Sequence, residues 1–119
     1  MDVLVLSTDL IVTSLVGGAA RRRGMTCESA GAAAALLERL AESTAGSPPP
    51  LVLIDLSTTG INIDELVKRI REQPTPVRVI AFGPHVHEQR LAAARDAGCD
   101  RVLSRGQFQS QLDALLAEQ

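Results

Sequence analysis

Tryptophan and tyrosine are absent from this chain of 119 residues, and only two phenylalanines, Phe82 and Phe108, supply aromatic rings. The core therefore has to be built from Leu, Ile, Val and Ala. The hydrophobic fraction of 45% is high enough to exclude wholesale disorder. Without aromatic platforms, stacking on nucleic-acid bases is not expected. Excess charge is lacking as well. A formal net charge of -2 leaves no footprint for nucleic acid or an anionic membrane, and Arg21-Arg22-Arg23 is too short a cluster to change that. No segment approaches the roughly 18 uninterrupted apolar residues of a membrane span. The N-terminus, Met1-Asp2-Val3-Leu4-Val5-Leu6, carries an acid where a secretory signal needs basic residues, so the cytoplasm is the expected compartment.

Cys27 and Cys99 are the only cysteines. Neither has a second Cys or His at metal-ligand spacing, so both are read as small buried hydrophobes rather than zinc ligands. His85-x-His87 with Glu88 is an incomplete zinc set and reads as a solvated loop. No glycine-rich phosphate loop follows any predicted strand, because the first strand-to-helix turn is Ser7-Thr8-Asp9-Leu10. Ser57 and Ser104 lack the setting of a nucleophile elbow, and no enzymatic activity is expected.

What the chain does contain is alternation. Short Val/Ile/Leu runs are separated by longer stretches of helical spacing, which is the pattern of an α/β domain. Strands are expected at about 2–6, 25–28, 51–56, 77–82 and 101–103, and helices from about 9 onward and at about 31–42, 63–73, 87–97 and 107–117. The first helix is expected to start after a Thr8 cap, with Leu10, Ile11, Leu15, Val16 and Ala19 on one side, weakened by Gly17-Gly18. The arginine triplet then falls at the favourable end of its dipole. Gly46-Ser47-Pro48-Pro49-Pro50 suits only a loop. Leu51 to Leu56 is apolar at every position except Asp55, as in a parallel strand covered on both faces. Ile63, Leu66, Val67 and Ile70 share one face of the third helix.

Five β-α units in this length leave one domain, 1–119, and right-handed crossovers favour an open, doubly wound, flavodoxin-like sheet of order 2-1-3-4-5. Functional residues in such a sheet lie beyond the carboxyl ends of its strands, where Ser7, Thr8, Asp55, Gly83 and Arg105 fall. With Pro50-Leu51-Val52-Leu53-Ile54-Asp55-Leu56 and Asp96-Ala97-Gly98-Cys99-Asp100, the chain resembles a response-regulator receiver domain over essentially its whole length. The resemblance implies that Asp55 stands at the phosphoacceptor position. It also exposes departures. Ser7 and Thr8 replace the family's acidic pair, Thr58-Thr59 its Met-Pro, Gly83 its hydroxyl residue, Arg105-Gly106 its Lys-Pro, and Val102 a common switching aromatic.

These replacements weaken phosphotransfer on chemical grounds. Aspartyl phosphorylation relies on positioning and on Mg²⁺ plus cationic or hydroxyl donors, and Mg²⁺ favours carboxylate oxygens over neutral hydroxyls. Asp9 lies one residue beyond the acidic-pair positions, where it suits the positive end of the first helix. A lone carboxylate beside a guanidinium needs no metal, so the leading expectation is an Asp55–Arg105 ion pair without Mg²⁺. The alternative is that Asp55 caps a neighbouring loop while Arg105 stays in solvent. The expected role is that of a degenerate, stand-alone receiver-like module acting through another signalling protein, such as a histidine kinase or an output protein. Homodimerisation is compatible with it, and no output domain is expected on the chain. Arg90, Arg95, Arg101, Gln107, Gln109 and Gln111 would line the face that receivers use for partners. Two alternatives stand beside this reading: a phosphorylatable response regulator using Mg²⁺ and Asp55, and a small-molecule sensor using the switch-point cleft.

Overall fold

In the computed structural model, residues 1–43 and 48–118 are described. Five strands alternate with five helices: β1 (Val3–Leu6), α1 (Leu10–Arg22), β2 (Cys27–Ala30), α2 (Ala33–Ala41), β3 (Leu51–Asp55), α3 (Ile63–Arg71), β4 (Val79–Gly83), α4 (Glu88–Asp96), β5 (Arg101–Ser104) and α5 (Arg105–Ala117). All strands are parallel, in the order β2-β1-β3-β4-β5, as the alternation of patterns predicts.

The two-residue period of a strand divides the core into two layers. Val3, Val5, Leu51, Leu53, Ile80, Phe82 and Leu103 face α1 and α5, whereas Leu4, Leu6, Val52, Ile54, Val79 and Ala81 face α2, α3 and α4. Phe82 and Phe108, the only aromatic residues, stack with ring centroids 3.8 Å apart in the first layer. On α3, Asn62 caps the N-terminus by accepting from the Glu65 amide, and Leu66, Val67 and Ile70 are its buried stripe. Gly98, at φ +95°, reverses the chain between α4 and β5, where a side chain would be strained.

Several local expectations are corrected. The cap of α1 is Asp9, which accepts from the Ile11 amide, and Thr8 is exposed. The inward stripe of α1 is Val12, Val16, Ala19 and Ala20, at i, i+4, i+7 and i+8; Leu10 and Ile11 fall outside it and are 80% and 71% exposed. The edge strand β2 pairs two residues later than its sequence suggests, because Glu28 and Ser29 face solvent and give little apolar signal. Cys27 and Cys99 are half-buried on opposite layers rather than fully buried. Of the proline-rich loop, Gly46 and Ser47 lie outside the described residues. No helix among the described residues is long and apolar enough to cross a membrane.

Candidate functional site at the carboxyl edge of the sheet

β1 and β3 are neighbours in the sheet, with Leu6 paired to Ile54, so the next residue of each strand meets the other at the carboxyl edge. These residues are Ser7 and Asp55, both only 4% exposed. The Ser7 hydroxyl donates to Asp55 Oδ2 at 2.7 Å. Ser57 N donates to Oδ1 at 3.0 Å, and Thr58 N donates to the Asp55 carbonyl at 3.1 Å, closing the turn that leaves β3. Each carboxylate oxygen thus has its own protein donor, which is how a buried carboxylate is tolerated away from water. Ser7 Oγ in turn accepts from Asp9 N at 3.1 Å, tying the start of α1 to the same cluster.

The expected Asp55–Arg105 pair does not form. Arg105 Nη2 lies 2.8 Å from Asp9 Oδ2 instead, in a bridge whose side chains are 37% and 36% exposed. Two features favour that choice. Arg105 is the first residue of α5, where the positive helix end disfavours a cation, so a carboxylate beside it relieves the conflict. Asp9 is also partly solvated, so the guanidinium reaches it without the desolvation that a bond to buried Asp55 would demand. The hydrogen bond from Arg105, followed by that from the Ile11 amide, holds the Asp9 carboxyl below its usual range. Asp9 therefore caps α1 and bridges to α5 and makes no hydrogen bond to Asp55. For Asp55 the loop-capping alternative matches the geometry; its companion, Arg105 in solvent, does not.

Gly83 ends β4 opposite Ser104. A Cβ built on it would lie 3.3 Å from Leu56 Cβ, so the Leu56 side chain closes the space into which a hydroxyl-bearing residue would project. Thr58 is buried and its Oγ1 has no hydrogen-bond partner among the described residues. Among the described residues no group of three or more His, Cys, Asp or Glu converges as a metal-binding set. His85 and His87 are exposed, and His87 makes no side-chain cap bond at the start of α4.

The arrival of α5 at Arg105, two residues earlier than expected, has a legible cause. Ser104 and Gln107 form a reciprocal capping box, Ser104 Oγ accepting from Gln107 N at 3.2 Å and Gln107 Oε1 accepting from Ser104 N at 2.9 Å. The S-x-x-Q spacing was the signal. On the neighbouring face, Arg101 donates to Gln111 at 2.9 Å, joining β5 to α5. Val102 is half-buried and packs toward the α2–α3–α4 layer. Burial drives the Cys99 thiol up to about 11, and burial also raises that of Cys27.

No family model matches the sequence, and no curated protein matches it. Solved structures do. The receiver domain of NtrX from Brucella abortus is 22% identical with a TM-score of 0.78, the match covering 98% of this chain and 95% of that one. Full-length FixJ from B. japonicum is 20% identical, TM-score 0.79, over 98% of this chain and 56% of that one. A response regulator from Thermotoga maritima is 18% identical, TM-score 0.76, over 98% and 94%. The chain spans 25% of the length of the NtrX crystal chain that contains more than the receiver.

Proposed function

We propose that this chain, which has the fold of response-regulator receiver domains, is a signalling module that works by contact with another signalling protein, without Mg²⁺-dependent aspartyl phosphorylation or enzymatic turnover. A histidine kinase and an output protein are the partner classes that fit this fold. The observation that carries the reading is the pairing at the carboxyl edge: Ser7, a neutral hydroxyl, is bonded to Asp55, while Asp9 is bonded to Arg105.

Mg²⁺ requires a near-octahedral set of oxygens at about 2.0–2.1 Å, including one or two carboxylates. The residues present do not fit it. Both Asp55 oxygens already accept protein hydrogen bonds, the Ser7 proton points at one of them, and the Asp9 carboxylate is committed to the α1 amides and a guanidinium. Phosphoryl transfer to Asp55 would also not have Arg105 free to meet the developing charge, since Arg105 is held by Asp9. Gly83, with Leu56 packed over it, supplies no hydroxyl.

Incubation of the protein with acetyl phosphate and Mg²⁺, followed by intact-mass measurement, tests the reading. No phosphate adduct is expected. An adduct on the wild type that disappears in Asp55→Asn would overturn it in favour of a phosphorylatable response regulator.

A further inference from the structure

On the α3–α4 side of the carboxyl edge, away from the Ser7–Asp55 pair, the loop leaving β3 and the outer face of α4 enclose a cavity of about 400 Å³. That volume is within the range of small-molecule sites. Its walls are of two kinds. Leu56, Ile61, Ile63 and Ala93 present aliphatic surface, and Thr58, Thr59, Gln89 and Arg90 are the polar residues of the lining.

Thr58 and Arg90 are short of partners among the protein's described residues. Thr58 is 5% exposed, yet its Oγ1 has no hydrogen bond among the described residues. A buried hydroxyl left in that state costs stability, and a hydrogen-bonding group in the adjoining cavity would supply the missing partner. Arg90 makes one long hydrogen bond, from Nη1 to the Leu56 carbonyl at 3.4 Å. Its other guanidinium N–H groups make no hydrogen bond or ion pair with any described residue, although the side chain is already drawn to the rim of the cavity.

We propose that this cleft binds a small aliphatic carboxylate. The guanidinium of Arg90 takes the carboxylate in a forked pair, the Thr58 hydroxyl donates to one of its oxygens, and the alkyl portion lies against Ile61, Ile63 and Ala93. A single guanidinium matches a single negative charge, whereas a phosphate dianion would leave charge uncompensated in a cleft that offers no second cation. An apolar chain is selected by the aliphatic side chains of Leu56, Ile61, Ile63 and Ala93. The proposal stands apart from the phosphorylation question, since neither Ser7, Asp55 nor Arg105 lines the cleft.

Amide NMR titration of the full chain with hexanoate, with hexylamine as the charge control, tests it. Hexanoate is expected to give saturable shifts centred on Thr58, Ile61, Arg90 and Ala93, and hexylamine none. Arg90 is exposed, so Arg90→Gln is expected to keep the fold, checked by its unshifted distant amides, and to weaken hexanoate at least about tenfold, the loss of a charged hydrogen-bond pair. Thr58→Val, which keeps the shape, is expected to weaken it several-fold. The proposal is overturned if hexanoate shifts are absent or lie elsewhere, if hexylamine binds as well as hexanoate, or if Arg90→Gln binds hexanoate like the wild type.

Discussion

The hydrogen bond from Ser7 to Asp55 is the feature on which the sign of a mutational effect turns. Both residues are buried, and the 2.7 Å contact joins a hydroxyl to an ionised acceptor, a class worth about 1.5–3 kcal/mol. At about 2.1 cal/mol/K per residue, a chain of 119 residues has an unfolding entropy near 0.25 kcal/mol/K. Ser7→Ala should therefore lower Tm by about 6–12 °C. Asp55→Asn should also destabilise, because its amide presents an N–H to one of two groups that now donate to the carboxylate, Ser7 Oγ and Ser57 N. Ser7 also accepts from Asp9 N, so the single substitution carries a second loss. The double-mutant cycle removes that contribution and should leave a coupling of about 1–2 kcal/mol between the two sites. Thermal unfolding for Tm and urea unfolding for the cycle, both followed by far-UV circular dichroism, are the appropriate assays, since the chain has no Trp. In a pocket of three clustered carboxylates the opposite sign applies to Asp55→Asn, because removing one charge relieves repulsion. A stabilised Asp55→Asn, or strictly additive single mutants, would refute the reasoning.

Gly83→Ser should cost about 1–3 kcal/mol by denaturant midpoint, because its Cβ would lie 3.3 Å from Leu56 Cβ in a packed layer, and Leu56→Ala in the same chain should recover part of that loss. Arg105→Gln should be slightly less stable than the wild type at neutral pH. Since the Asp9 carboxyl is held below its unfolded value of 3.8, that advantage is complete above this value and is lost as pH falls through the depressed one; paired urea midpoints across the acid range would show convergence, and a constant gap would contradict it. With its thiol at about 11, Cys99 should react at pH 8 about two orders of magnitude more slowly than a free cysteine in an Ellman assay of Cys27→Ser.

The sequence announces the sheet more clearly than the site, and the reason is physical. β3 and β4 are buried at every position, so their apolar runs stand out, and the strand order follows from crossover handedness. β2 lies at an edge and exposes Glu28 and Ser29, so its position was misplaced by two residues. Leu10 and Ile11 are apolar but lie off the α1 stripe, and an apolar residue without a packing partner looks the same in sequence as one with a partner. At the site, Ser7, Thr8, Asp55, Gly83 and Arg105 are legible as carboxyl-edge residues, with Asp9 one residue beyond them, because the fold dictates where strands end. Their pairing was not legible. Asp9, Asp55 and Arg105 all follow the carboxyl ends of strands, and the choice of Asp9 as the partner of Arg105 rests on desolvation and helix-end electrostatics, which spacing does not encode. The Ser104–Gln107 box was readable and decides where α5 begins.

Titration of the protein with Mg²⁺, followed by the amide resonances of Ser7, Asp55 and Ser57 in wild type and Asp55→Asn, tests the central claim most directly. The closed pairing of Asp55 with Ser7 and Ser57 predicts only weak, unsaturated shifts into the millimolar range, the same in both proteins. Saturable binding centred on those residues and abolished by Asp55→Asn would contradict it.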